Sequence, residues 1–353
     1  MARGNRVGTG TGSGVGLDAE GRANFGIDDE DGPTLVGTDD GDVAVDPQVD
    51  LPGPDTRPGY RCGVVAIAGR PNVGKSTLLN RLLGMKIAIV TPKPQTTRDR
   101  ILGILSRPNF QALFTDTPGI HDPKKPLNRR MVQEALAALQ DADVVLVVTD
   151  AVTPEDVERD RFVLDRVRES GKPAVLALNK IDKIAKPKLL PLLAAYSRVL
   201  DFAAIVPVSA LKGDGLDPLL AEVSARLPEG RALFPEDDLS DRPLRFLASE
   251  LVREKLTLFT YSELPYSVAV TIDRFEEPEP PLAARISATI HVERDSQKAI
   301  VIGHGGEMLK RIGTAAREEI EELVGRKVML ELFVRVDEQW AGSDEGVKRM
   351  GYE

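Results

Sequence analysis

Residues 69–76 have the sequence Gly-Arg-Pro-Asn-Val-Gly-Lys-Ser, directly after an apolar run and directly before a stretch with helical spacing. Glycines in such a loop let the backbone curl so that its N–H groups face a phosphate, and the start of the following helix adds partial positive charge. Lys75 is expected to contact the β- and γ-phosphates, and the Ser76 hydroxyl is expected to bind Mg²⁺. The pattern predicts a P-loop nucleotide site but does not distinguish ATP from GTP.

Outward from this loop, short apolar runs alternate with amphipathic stretches. The apolar runs lie at 64–68, 112–115, 144–149, 174–178 and 205–208, and the clearest helical stretches lie at 129–140 and 158–170. Strands that are apolar throughout are typical of a parallel sheet with both faces covered by helices. The sequence therefore predicts an α/β fold, with a doubly wound, mostly parallel sheet in a P-loop domain at residues 61–228.

The motif Asp116-Thr117-Pro118-Gly119 follows the second of these apolar runs. Ligands of such sheets bind at the carboxyl ends of the strands. Asp116 is therefore expected to reach Mg²⁺ through water, and the Gly119 amide is expected to sense a γ-phosphate. In isolation the motif is an ordinary turn, but its position after a P-loop favours a role in the nucleotide site.

The motif Asn179-Lys180-Ile181-Asp182 follows the fourth apolar run and selects the base. A carboxylate accepts hydrogen bonds from both N1–H and the 2-amino group of guanine, whereas adenine lacks this pair of donors. Lys180 is expected to pack its stem along the base. The segment Ser209-Ala210-Leu211, after the fifth run, is expected to set a backbone amide near guanine O6. These motifs predict GTP rather than ATP.

The loop Pro94-Gln95-Thr96-Thr97-Arg98 lies between the first helix and the second strand, where it would cover the phosphates. Thr97 is expected to complete the Mg²⁺ shell with Ser76 and Asp116. The residues expected to act in hydrolysis are Asn72, Lys75, Thr97 and Gly119. The residues expected to contact GTP are Gly69, Arg70, Pro71, Asn72, Val73, Gly74, Lys75, Ser76, Thr77, Asp116, Thr117, Pro118, Gly119, Ile120, Asn179, Lys180, Asp182, Ser209, Ala210 and Leu211.

Composition limits the class of protein further. Residues 1–60 hold 13 of the 31 glycines and have four Lys and Arg against twelve Asp and Glu, so they carry −8 of the formal charge of −9. A segment with so few large apolar residues cannot offset its ordering entropy, and we predict a disordered tail. The single cysteine, Cys62, fits a reducing cytosol. The N-terminus lacks the apolar region of a signal peptide, and no apolar run approaches the roughly 18 residues that span a membrane. We therefore expect a soluble, cytoplasmic protein.

A polar connector at 229–243 separates the P-loop domain from a second domain at 244–353. The second domain shows, in order, a helical stretch at 244–258, strand-like segments at 267–275 and 285–293, a glycine cluster, a helix at 307–324 and a last strand at 327–336. This order predicts a small α+β domain. The cluster Gly303-His304-Gly305-Gly306 matches the GXXG loop that clamps the nucleic-acid backbone in KH domains.

Glycines around two variable residues let phosphates approach main-chain amides at a helix start with no Cβ in the way. The residues expected to bind RNA are Gly303, His304, Gly305, Gly306, Lys310 and Arg311. The apolar residues Ile300, Val301 and Ile302 are expected to form a surface beneath the bases. Leu309, Ile312, Ala316 and Ile320 have helical spacing and are assigned to the core.

The order and wording of these motifs closely resemble the Era family of bacterial GTPases, from Cys62 to about residue 336, with GRPNVGKS, PQTTR and DTPGI carrying the likeness. The resemblance implies a P-loop GTPase domain followed by a type II KH domain, in a switch that cycles between GTP and GDP and hydrolyses GTP slowly. It also implies binding near the 3′ end of small-subunit ribosomal RNA and a role in assembling the 30S subunit. A monomer with peripheral contact at the inner face of the cell membrane is expected on the same ground. Related GTPases that share Asn72 use it to hold K⁺, so K⁺ is expected beside Mg²⁺.

Two features depart from the family pattern. The family commonly has lysine where this chain has His304, so the charge there depends on pH. Residues 243–353 also hold 15 Lys and Arg against 20 Asp and Glu. RNA affinity must then come from a local patch, for which the candidates are Arg294, Lys298, Lys310, Arg311 and Arg317.

Three alternative functions compete with this one. A ribosome factor with two GTPase domains would contain a second P-loop, and the chain has one. A GTPase partner of a tRNA-modifying enzyme would normally carry further cysteine or cofactor-binding segments. The third alternative, a GTP-binding module without hydrolysis, can be distinguished only by measuring turnover.

Overall fold

The computed structural model describes residues 23–25, 58–93, 100–116, 119, 126–150, 153, 156–260, 268–338, 340, 346 and 349–350. The strands in these ranges are β1 (Ala23–Phe25), β2 (Arg61–Ala68), β3 (Ile101–Arg107), β4 (Phe110–Asp116), β5 (Val144–Thr149), β6 (Ala174–Leu178), β7 (Ala204–Pro207), β8 (Val268–Glu276), β9 (Ala284–Val292) and β10 (Val328–Val336). The helices are α1 (Lys75–Leu83), α2 (Pro126–Asp141), α3 (Val157–Ser170), α4 (Leu189–Ser197), α5 (Leu216–Ser224), α6 (Leu244–Phe259), α7 (Asp295–Ile302) and α8 (Glu307–Val324). None of the helices in the described ranges is both long and apolar enough to cross a bilayer.

The first domain is built on a six-stranded sheet in the order β3-β4-β2-β5-β6-β7. Strands β4, β2, β5, β6 and β7 are parallel, and β3 pairs antiparallel with β4 at one edge. All residues of β4, β5 and β6 are buried, because α1 and α5 cover one face while α2, α3 and α4 cover the other. The predicted doubly wound, mostly parallel sheet is confirmed.

The second domain contains a four-stranded sheet in the order β1-β10-β9-β8. Strands β10 and β9 are parallel, β9 and β8 are antiparallel, and helices α6 and α8 pack on the sheet through a shared apolar core. Without β1, the chain order is helix, strand, strand, helix, helix, strand, which is the type II KH topology expected from the motifs. The four apolar residues of α8 that the sequence assigned to the core, Leu309, Ile312, Ala316 and Ile320, are fully buried.

Two expectations are corrected by this structure. Residues 300–302 belong to helix α7, and Val301 is fully buried in the domain core while Ile300 is 51% exposed, so these residues do not form one surface beneath bases. Residues 23–25, placed in a disordered tail, form β1 and pair antiparallel with β10. The rest of the predicted tail lies outside the described residues. A short apolar run fits a helix or a strand equally well, and pairing between distant segments leaves no local sequence signal.

The two domains dock through a ring of four charged side chains. Lys86, in the loop after α1, lies 2.5 Å from Glu254 of α6 and 2.7 Å from Glu319 of α8, and Lys255 contacts the same two carboxylates. The other oxygen of Glu254 accepts the Val90 N–H at 2.7 Å, and Glu254 is only 1% exposed. This buried carboxylate therefore holds the loop that leads to residues 94–99 against the second domain.

Candidate nucleotide site and RNA-binding loop

The P-loop connects β2 to α1 at the carboxyl edge of the first sheet. Its backbone conformation is tight, with Asn72 at φ 64° and Gly74 at φ 101°. A Cβ on Gly74 would lie 2.4 Å from the side-chain nitrogen of Asn179, so this position requires glycine. Asn179 in turn donates to the Val73 carbonyl at 2.9 Å, which joins the phosphate loop to the base-selecting motif.

Lys75 is buried at the start of α1, and its ammonium donates to the carbonyls of Gly69 and Arg70, each at 3.1 Å. Burial lowers the pKa of Lys75 to about 8, and the negative charge of Asp116 opposes that shift. The ammonium is therefore held inside the loop, poorly solvated, where a polyphosphate would supply its missing counter-charge.

Nucleotide affinity should consequently depend on pH in a defined way. Below pH 8 Lys75 is charged in the free protein, and affinity should be flat; above pH 8 binding must take up a proton, and affinity should fall by up to about tenfold per pH unit. Calorimetric titration with GDP at pH 7, 8 and 9, in two buffers of different ionisation enthalpy, measures both the affinity and the proton uptake. Constant affinity with no proton uptake at pH 9 would show that Lys75 keeps an ordinary pKa.

The side chains that would hold Mg²⁺ lie together beside the P-loop. Asp116, at the end of β4, is fully buried, and the Ser76 hydroxyl donates to its Oδ2 at 2.8 Å. A hydroxyl and a carboxylate, completed by phosphate oxygens and water, form the oxygen donor set that Mg²⁺ prefers, so the residues present fit this ion. Gly119 is buried, and a Cβ there would lie 2.7 Å from the Pro71 nitrogen, which places its backbone against the P-loop.

Four of the predicted site residues lie outside the described residues: Thr97, Thr117, Pro118 and Ile120. The assignment of Thr97 to Mg²⁺ and to hydrolysis therefore stays a prediction, as does the role of the whole loop at 94–98.

The base-selecting residues converge at the ends of β6 and β7. Asp182 is half-buried and accepts from the Ser209 hydroxyl at 2.6 Å. This hydrogen bond, with smaller help from Lys212 and Lys183, lowers the pKa of Asp182 and keeps the carboxylate ionised as a pure acceptor. The Ala210 N–H donates to Asn179 Oδ1 at 3.0 Å. The segment 209–211 is predicted to set a backbone amide near guanine O6, and the Ala210 amide could take that role only in competition with this bond.

Lys180 bridges the two halves of the site. It adopts φ 61°, and its ammonium donates to the Asn72 carbonyl and to Asp150, both at 2.7 Å. The stem of Lys180 is thereby held in place between the P-loop and the end of β5, as packing along a base requires.

A group of residues that sequence reasoning missed fixes the outer side of the P-loop. Arg70 donates to Asp160 at 2.5 Å and to Asp150 at 3.3 Å, so its side chain is held by carboxylates, and any contact with phosphate would come from its backbone. Asp160 is buried and also accepts from Thr149 and from Tyr196, whose pKa is raised by burial and by this carboxylate. Asp150 follows a buried strand at the carboxyl edge of the sheet, a position that could have identified it.

The GXXG loop connects α7 to α8, rather than following a strand as the sequence suggested. Gly303, Gly305 and Gly306 all have positive φ, and His304 and Gly305 are exposed at the start of α8. A Cβ on Gly303 would lie 2.7 Å from the Met308 Cβ, which explains glycine there. The loop presents backbone and an imidazole to solvent at the N-terminus of an 18-residue helix, an arrangement suited to phosphate.

The basic residues proposed for RNA have different surroundings. Lys310 is exposed, and the Arg311 guanidinium lies 4.1 Å from the ring centre of Phe259. Arg317 is paired with Glu321 at 3.0 Å, which reduces its availability to an RNA phosphate. Arg294 is exposed and precedes α7, and Lys298 lies within that helix, whereas the loop follows Ile302 at the other end of α7. The candidates that directly follow the loop are therefore Lys310 and Arg311, at the start of α8.

A guanine-selective P-loop site on a doubly wound sheet, followed by a type II KH fold, defines the class of a GTPase joined to a KH domain. The model of the family described as "50S ribosome-binding GTPase" matches residues 64–180, and the KH domain model matches residues 263–341. The chain is 49% identical to GTPase Era of Syntrophus aciditrophicus, over 83% of this chain and 95% of that protein. It is 50% identical to GTPase Era of Geotalea uraniireducens, over 83% of this chain and 98% of that protein. The chain belongs to the Era family of GTPases.

Solved structures agree with this assignment. A crystal structure of Era in complex with MgGDPNP and nucleotides 1506–1542 of 16S ribosomal RNA has a TM-score of 0.77 and 44% identity, covering 83% of this chain and 99% of that one. Aquifex aeolicus Era bound to GDP and AlF4⁻ gives the same TM-score, identity and coverage.

Proposed function

We propose that this GTPase binds the 3′ end of small-subunit ribosomal RNA through its KH domain and assists assembly of the 30S ribosomal subunit. The observation that carries the proposal is the loop at 303–306 at the start of α8, with His304 and Gly305 exposed, on the same chain as the phosphate and base residues described above. The related Era solved with a 16S ribosomal RNA fragment supports the choice of RNA.

In the GTPase domain each predicted site residue has a task. Lys75 balances phosphate charge, Ser76 and Asp116 hold Mg²⁺ with Thr97, and Gly119 contacts the γ-phosphate through its amide. Asn179, Lys180 and Asp182, with the loop at 209–211, hold the guanine. When bound, Mg²⁺ would neutralise charge that develops on the phosphate oxygens.

The proposal divides the chain into a tail at 1–60, a GTPase domain at 61–228, a connector at 229–243 and an RNA-binding domain at 244–353. Gln111 of β4 supports the connector assignment, because its side-chain oxygen accepts the Leu233 and Phe234 amides at 2.7 and 3.1 Å. We also propose a monomer in the cytoplasm, with peripheral contact at the inner face of the cell membrane. That last part rests on the family resemblance alone.

Crosslinking tests the RNA assignment directly. The full chain, loaded with a non-hydrolysable GTP analogue or with GDP, would be irradiated with total cellular RNA, and the attached fragments would be sequenced. We expect fragments from the 3′ end of small-subunit ribosomal RNA, in larger amount with the GTP analogue. Fragments spread over transfer and messenger RNA without enrichment would contradict the proposal.

Hydrolysis by the isolated protein should be slow and should respond to K⁺. Ile120 occupies the position where many switch GTPases place a glutamine that orients water, and an isoleucine cannot hydrogen-bond that water. Asn72 has its side chain at the mouth of the P-loop, where its nitrogen donates to the Pro92 carbonyl at 3.1 Å. We expect turnover several-fold faster in K⁺ than in Na⁺ at equal ionic strength, measured by phosphate release. Equal rates with intact GTP binding would remove Asn72 from this role, and Asn72→Ala should abolish any difference between the two salts.

A further inference from the structure

Arg81 connects the phosphate helix to the base loop. It lies in the last turn of α1, the helix that begins with Lys75. Its Nη2 donates to the Leu211 carbonyl at 2.6 Å, and its Nε donates to the Ala210 carbonyl at 3.4 Å, across 130 and 129 residues of sequence. The guanidinium contacts no carboxylate among the described residues, although Glu319 and Glu322 line the same cavity of about 460 Å³ between the domains. Within the described part of the chain, its side-chain hydrogen bonds go only to this loop.

The direction of these bonds matters because a trans peptide is planar, so its C=O and the following N–H point in opposite directions. With the Leu211 carbonyl turned toward Arg81, the Lys212 N–H points the other way and donates to the Ser209 hydroxyl at 3.2 Å. The Ser209 hydroxyl donates to Asp182 at 2.6 Å. A chain of hydrogen bonds thus runs from Arg81, through one peptide group and one hydroxyl, to the carboxylate that selects guanine. Each bond in such a chain polarises the next.

We infer that Arg81 is a positioning residue for guanine recognition, which orients the 209–212 loop and, through Ser209, the Asp182 carboxylate. The inference rests on the proposed assignment of Asp182 to the base. It also gives α1 two roles, since the same helix positions Lys75 at the phosphates at its first residue and holds the base loop from its last turn.

The alternative is that Arg81 only stabilises the end of α1, where a positive charge is favourable. The two roles differ in one readout. Loss of a structural arginine lowers stability without changing which base is preferred, whereas loss of a positioning residue changes base selectivity. Inosine nucleotides lack the 2-amino group that Asp182 would accept from, so the ratio of GDP to IDP affinity reports the orientation of that carboxylate.

The experiment compares Arg81→Met, Arg81→Lys and a matched control, Arg226→Met, in the full chain. Arg226 also donates to a backbone carbonyl, that of Ala203 at 2.6 Å, but it follows α5 away from the base loop. Dissociation of fluorescent GDP and IDP would be followed by stopped flow, and thermal unfolding would be recorded for each protein.

For Arg81→Met we expect GDP to dissociate about tenfold faster, the effect of one hydrogen bond from a charged donor, with a smaller change for IDP. The preference for GDP should therefore shrink in this variant, persist largely in Arg81→Lys, and stay unchanged in Arg226→Met. A GDP preference in Arg81→Met equal to that of wild type, whatever its thermal stability, would overturn the inference. If Arg81→Met does not fold, Arg81→Gln provides the same comparison.

Failure of this inference is distinguishable from failure of the base assignment. If Asp182→Asn loses guanine preference while Arg81→Met keeps it, only the role of Arg81 is wrong. If Asp182→Asn keeps guanine preference, the base assignment itself is wrong.

Discussion

Replacing Asp182 with asparagine is expected to lower GTP affinity on the order of 1000-fold and to create affinity for xanthine nucleotides. The ionised carboxylate offers only acceptors, which suit the N1–H and 2-amino group of guanine. An amide places a donor where the 2-amino group lies, and this clash leaves polar groups unpaired in the site. Xanthine has an oxygen at that position and accepts from the amide. The hydrogen bond from Ser209 lowers the pKa of Asp182 further below its ordinary value, in line with an ionised carboxylate at neutral pH.

Titration with fluorescent GDP and XDP measures this change in base preference. The control is Asp201→Asn, which removes the same charge at an exposed residue before β7, at the opposite end of that strand from the base site. We expect wild-type affinities in the control. Unchanged GDP affinity in Asp182→Asn would rule out the base-recognition assignment.

Replacing both His304 and Gly305 with aspartate should reduce RNA affinity about 100-fold or more while leaving GTP affinity nearly unchanged. Two carboxylates would face the RNA phosphates at the start of α8 and repel them. They would also occupy the partially positive N-terminus of the helix, which otherwise favours a phosphate. The variant should fold, because both residues are exposed and a Cβ on Gly305 meets no atom within 4 Å. Gly305 has φ +56°, a conformation that aspartate tolerates better than most residues.

The matched control is Gly325→Asp, at the other end of α8. Gly325 has φ +74° and open space for a Cβ, so it carries a similar backbone cost without facing RNA. Binding would be titrated with an RNA that ends in the 3′ tail of small-subunit ribosomal RNA. Wild-type affinity of the double variant would show that the GXXG match has no role in binding.

The sequence by itself determined the fold class and the motifs of the site. The strands β5 and β6 were predicted with the bounds that the structure shows, and so was helix α8. Helix α8 is long and strongly patterned, so its type follows from its burial period. The runs at β5 and β6 are short and apolar throughout, and their assignment as strands came from their alternation with helical stretches, which is typical of a parallel sheet. The P-loop and the motifs at Asp116, Asn179 and Ser209 were recognisable because each follows a predicted strand, and the carboxyl ends of parallel strands meet at one edge of a sheet.

Only the tertiary structure decided how the site is held together. The bonds from Arg70 to Asp160, from Lys180 to Asp150 and from Arg81 to Leu211 join residues 90, 30 and 130 positions apart. Nor could the sequence show that residues 300–302, which were predicted to form a surface beneath bases, lie in a helix with Val301 buried. Periodicity reports which face of a segment is buried, but it carries no information on which distant side chain lies against it. Hydrogen bonds between such segments exist only after the chain has packed, so the structure alone could assign them.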